Sequence, residues 1–148
     1  MCVDMKKPKL LEISDKLLIN HREISEKYSE YAKSIGLTFS GFIVLGILWR
    51  EGKTTQSHIM KLSCLPKQTV NTIIKSYKEQ GIIIQSEEEN KDKRNKYITF
   101  TAEGKKYADK IMKKVKEAEI NALDKIGEEK AQQLLDILTE YKNNLRII

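Results

Sequence analysis

Positions on one side of a helix recur from the first tens of residues onward. Leu10, Ile13, Leu17, His21, Ile24, Tyr28, Tyr31 and Ile35 keep a three-and-four rhythm, and Leu11 and Leu18 widen the stripe. This predicts a long amphipathic helix from about Lys9 to Lys33, closed by Gly36. Thr38 is a candidate N-cap for a second helix, in which Phe42 to Arg50 is apolar nearly all round. That pattern belongs at the centre of a core, and Gly52 ends it.

A short helix follows, capped by Thr54 or Thr55, with Ile59, Met60 and Leu62 expected to point inward. After the turn Ser63-Cys64-Leu65, Pro66 suits a first helical turn and Gly81 suits the residue just past a helix end. Between them Val70, Ile73, Ile74 and Tyr77 form one stripe. Two short helices joined by such a turn predict a helix-turn-helix.

The period then changes to that of strands. Ile82 to Ser86 and Lys96 to Thr101 read as two strands joined by a polar tip, Glu87 to Asn95. Thr101-Ala102-Glu103-Gly104 is a capping signal for a helix running to about Lys125. Its stripe is Ala108, Ile111, Met112, Val115, Ala118, Ala122 and Ile126, with lysines crowding the other faces. A last helix starts at Glu128 and Glu129 and carries Ala131, Leu134, Leu135, Leu138, Tyr141, Leu145 and Ile148.

The predicted fold is mainly α, with a small β part: a winged helix-turn-helix with N- and C-terminal helices forming a dimerisation domain. Residues 1–36 and 102–148 form the helical region and residues 37–101 the winged helix. The helix-turn-helix lies at about 54–80 and the wing at about 82–101. One copy has too little elsewhere to cover the terminal stripes, so a homodimer is expected. Leu10, Ile13, Leu17, Ile120, Leu134, Leu138, Tyr141 and Leu145 are its candidate interface.

Composition narrows the function. The 148 residues suffice for one core, and a net charge of +6 favours an anionic partner. No nucleophile-elbow, P-loop or dinucleotide motif is present, and no spacing suits a metal, so neither an enzyme nor a cofactor is expected. Cys2 and Cys64 make no framework, the charged N-terminus lacks a signal peptide's apolar core, and no run is long enough to span a membrane. A soluble, cytoplasmic protein is expected. Cys64 is expected to be a small buried side chain, and His21 a hydrogen-bonded core or interface residue. With His58 the only other histidine, no zinc cluster forms.

The polar face of the second helix-turn-helix helix holds Gln68, Asn71, Thr72 and Lys75, with Lys67 and Thr69 near its start. Amide side chains read adenine edges, and hydroxyls bond to bases or phosphates. Lys91, Asp92, Lys93 and Arg94 at the wing tip suit a negative minor groove, while Glu87, Glu88 and Glu89 beside them would repel phosphate.

Thr55-Gln56-Ser57-His58-Ile59-Met60, Leu65 to Asn71, Gly81-Ile82-Ile83, Asp92-Lys93-Arg94 and Phe100 to Gly104 resemble the MarR family of bacterial transcriptional regulators. So does Gly36 to Phe42, and the likeness spans nearly the whole chain. Ser63 and Cys64 depart from it, standing where the family more often has a Leu-Gly-like turn.

The resemblance implies that Lys67, Gln68, Thr69, Asn71, Thr72 and Lys75 face the major groove or its phosphates. Gln56 and Ser57 would contact phosphate, and Arg94 would enter the minor groove oriented by Asp92. It implies a homodimer on a pseudo-palindromic duplex DNA operator, more often a repressor. It also implies release by a small aromatic or anionic effector, for which His21, Tyr28, Tyr31 and Trp49 are the candidate pocket. The alternative is a winged-helix adaptor or anti-repressor acting through protein contacts.

Overall fold

The structure is a computed structural model that describes residues 7–86 and 96–148. The wing tip, with Lys91, Asp92, Lys93 and Arg94, and the N-terminal Cys2 lie outside the described residues. Along the chain run α1 (Pro8–Ser34), α2 (Phe39–Glu51), β1 (Lys53–Thr55), α3 (Gln56–Ser63) and α4 (Lys67–Glu79). There follow β2 (Ile83–Gln85), β3 (Tyr97–Phe100), α5 (Ala102–Ile126) and α6 (Glu128–Asn144).

The punctuation residues act as their chemistry requires. Thr38 accepts from the Gly41 amide to cap α2, and Thr101 accepts from the Gly104 amide to cap α5. Gly81, at φ 70°, closes α4. Its amide donates to the Lys78 carbonyl, and the Ile82 amide donates to that of Tyr77, so two open carbonyls are satisfied at once.

Helix α2 is the hub. Val44, Leu45 and Leu48 are fully buried, each contributing about 1.5–3 kcal/mol of apolar burial. Around it gather Ile59 of α3, Val70, Ile74 and Tyr77 of α4, and Ala108, Ile111 and Met112 of α5. The pattern of α2 predicts burial all round, and the structure corrects this. Ile43 and Trp49 are half-buried and Arg50 is exposed. Trp49 Nε1 donates to Asp109 Oδ1 at 2.8 Å, tying the rim of α2 to α5.

Strand β1 is missing from the sequence-based expectation. It pairs antiparallel with β3, which also pairs with β2, giving the order β1-β3-β2. Thr54 lies opposite Ile98 and is buried, and Thr55 caps α3 by accepting from the His58 amide at 3.3 Å. Three residues are too few to show an alternation, so the strand is stabilised by its partner and not by its own pattern. Leu62 of α3, expected to point inward, is 40% exposed.

The two ends of the chain are different in kind. In α1 only Ala32 is buried, and in α6 no residue is. Leu10, Ile13, Leu17, Ile120, Leu134, Leu138, Tyr141 and Leu145 are all exposed. Among the described residues no single helix is long and apolar enough to cross a membrane.

Candidate nucleic-acid interface

Helix α4 is two-faced. Val70, Ile74 and Tyr77 are buried and Ile73 is half-buried, while Lys67, Gln68, Asn71, Thr72 and Lys75 are exposed and Thr69 is half-buried. The buried face is anchored at its far end. Tyr77 Oη donates to the Gly41 carbonyl of α2 at 2.6 Å, and burial pushes the phenol's pKa well above its ordinary value. The first turn of α4 has no acid, so its exposed amides and Lys67 present positive potential to solvent.

The polar side chains are partly spoken for. Thr72 Oγ1 donates to the Gln68 carbonyl at 3.0 Å, and Lys75 lies 3.9 Å from Glu79. Gln56, the first residue of α3, donates through Nε2 to Asn71 Oδ1. Ser57 beside it is exposed.

The turn between α3 and α4 corrects one expectation. Cys64 is exposed and not buried, and it takes the left-handed conformation at φ 55° and ψ 20°. A glycine would hold that geometry without cost; Cys64 holds it as a non-glycine residue, so the turn is kept at some strain despite the departure at that position. Ser63 Oγ accepts from the Leu65 amide at 3.2 Å and stiffens the same corner.

A cavity of about 670 Å³ opens between α1 and α5. Tyr28 and Tyr31 line it, but His21 and Trp49 do not: His21 is exposed farther up α1, and Trp49 turns to Asp109. Its charged lining residues, Lys27, Lys114 and Glu119, were not in the expected set. Lys27 was legible, since Ile24, Lys27, Tyr28 and Tyr31 share one helix face by spacing. Tyr28 Oη donates to Glu119 Oε1 at 2.9 Å; burial first, and then this bond, raise the Tyr28 pKa. Lys114 Nζ stands 5.4 Å from the centre of the Tyr31 ring. Among the described residues no three His, Cys, Asp or Glu side chains gather as a metal site would require.

A small three-stranded antiparallel sheet beside two short helices, one with a polar exposed face, defines a winged helix-turn-helix protein. No family model matches the chain. It is, however, 30% identical to NMB1585, a MarR family regulator from Neisseria meningitidis, with a TM-score of 0.73 over 87% of this chain and 92% of that one. The chain belongs to the MarR family of transcriptional regulators. It is also 27% identical over 123 residues to the HTH-type transcriptional regulator SarZ of Staphylococcus epidermidis, covering 83% of this chain and 81% of the relative. The fold is shared with S. aureus MepR in its complex with DNA, at a TM-score of 0.70 and 22% identity over 90% of this chain and 98% of that one.

Proposed function

We propose that this chain is a homodimeric, sequence-specific DNA-binding repressor of the bacterial cytoplasm, with α4 as its recognition helix and a small aromatic or anionic molecule as its effector. One observation carries the reading. Helix α4 is anchored by three buried residues while its opposite face offers amides, hydroxyls and lysines to solvent. A helix so held can enter a major groove without losing its own packing. The MepR complex with DNA, on the same fold, supports carrying that docking mode to this chain.

The homodimer is supported by the exposed apolar faces of α1 and α6, which water would otherwise have to cover. Two-fold symmetry would set two recognition helices about one DNA turn apart, roughly 34 Å, matching a pseudo-palindrome. The effector is supported by the cavity between α1 and α5. Its aromatic walls suit a ring, and Lys27 and Lys114 suit a carboxylate or phenolate.

The test is a titration of the intergenic DNA beside the protein's own gene, with excess nonspecific competitor, at two salt concentrations. One dimer per site that resists competitor and weakens steeply with salt is expected, because phosphate contacts release counterions. A folded dimer with salt-independent or no affinity would instead point to the adaptor.

A further inference from the structure

Asn71 is not an independent reader. An asparagine amide has two edges of similar shape, one an acceptor and one a double donor, and an exposed one can turn either way. Here the first residue of α3 reaches across to the fifth residue of α4. Gln56 Nε2 donates to Asn71 Oδ1, so the carbonyl edge of Asn71 is engaged from within the protein. Both N–H bonds of Asn71 remain to be offered outward. Gln56 is half-buried and follows the Thr55 cap directly, so its own position is set by the start of α3.

Resting on the reading of α4 as a recognition helix, we infer that Gln56 is a positioning residue. It selects the base read by Asn71 by fixing which edge of that amide faces the groove. With the carbonyl engaged, Asn71 presents donors, and its favoured base edge carries acceptors, as the O6 and N7 of guanine do. The two-way pairing of a free asparagine with adenine needs the carbonyl as well, and Gln56 competes for it. This role differs from a phosphate contact, which would raise affinity for all sequences alike.

The decisive variant is Gln56→Glu. A carboxylate cannot donate, so it can bond to Asn71 only by accepting from its amide nitrogen. Asn71 must then turn, and its carbonyl faces the groove. Binding would be measured to operators carrying each of the four bases at the position where Asn71→Ala abolishes the wild-type preference. Wild type is expected to favour the acceptor edge by roughly tenfold. Gln56→Glu is expected to move the preference to a base presenting a donor, adenine or cytosine, whatever its overall loss of affinity. Gln56→Ala frees the Asn71 carbonyl and is expected to move the preference toward adenine, which pairs with both edges of the amide. Gln56→Ala added to Asn71→Ala should then cost nothing more.

An unchanged base preference in both Gln56 variants overturns the inference and leaves the DNA-binding reading standing. So does a uniform loss of affinity with a shallower salt slope, which marks a phosphate contact. If wild type is specific but Asn71→Ala flattens no position, the inference also fails alone. A wild type without any sequence preference overturns both.

Discussion

Replacing Gly104 with alanine tests the junction where α4, β2 and α5 meet. Gly104 lies in the first turn of α5, directly against the backbone of Ile82. A Cβ built there would fall 1.8 Å from the Ile82 carbonyl oxygen and 2.8 Å from its Cα. No rotamer can relieve that contact, because the obstacle is main chain. The same carbonyl accepts from the Thr101 amide at 3.0 Å, and the Ile82 amide caps α4 at Tyr77, so the corner cannot yield at one point alone.

Overpacking of a close-packed site costs about 1–3 kcal/mol, and a backbone obstacle belongs at the upper end. Alanine's better helix propensity returns up to about 1 kcal/mol. A net loss of about 2 kcal/mol corresponds to a fall in Tm of roughly 4–8 °C for a chain of this size. Thermal unfolding followed by circular dichroism measures it. Without the close approach the substitution would be a simple gain in helix propensity, and Tm would rise. A rise, or no change, refutes the packing of α5 on Ile82. Gly46→Ala in the middle of α2 is the counterpart. Its Cβ would meet only the end of the flexible Met112 side chain, Cε at 3.4 Å and Sδ at 3.8 Å, so about 0.5–1 kcal/mol of stabilisation is expected.

Removing the Tyr77 hydroxyl as Tyr77→Phe should cost about 1 kcal/mol in denaturant unfolding and weaken DNA binding, since the hydroxyl holds α4 to α2; equal stability would mean the bond contributes nothing. Cys64→Gly should stabilise the protein by about 1 kcal/mol, because a non-glycine residue in the left-handed region is strained; a loss of stability would contradict the turn geometry. Leu134→Asp with Leu138→Asp should give monomers by light scattering, since two leucines left uncovered forfeit roughly 3–6 kcal/mol per chain; an intact dimer would place the interface elsewhere. Arg94→Ala should lower affinity for all duplexes, whereas Gln68→Ala should relax sequence preference by about 1–3 kcal/mol at one base pair; the reverse pattern in competition assays would exchange their roles.

The sequence announces those elements that carry their own period and punctuation. The stripe of α4, the Thr38 and Thr101 caps and the positive φ of Gly81 could all be read in advance, because each depends on residues within a few positions. What escaped depends on partners far away in the chain. Strand β1 exists because β3 lies beside it, and Trp49 left the candidate pocket because Asp109, sixty residues on, accepts its indole N–H. The exposure of Cys64 follows from a left-handed turn that its composition gives no hint of. Within α1, spacing alone placed Tyr28 and Tyr31 together, but only the packing of α5 decided that Lys114 and Glu119 would face them.

None of the seventeen residues of α6 is fully buried within its own chain. Helices in proteins draw most of their stability from packing of an amphipathic face, so α6 is firm only while something covers its apolar stripe. On the dimer reading each chain's tail reports whether its twin is present. An orphan chain shows a fraying, leucine-rich end that proteases cut readily, whereas a paired chain hides it. Degradation would then prune single chains and spare pairs, and the cell's working stock of this regulator would be governed by how often two copies meet as well as by how many are made.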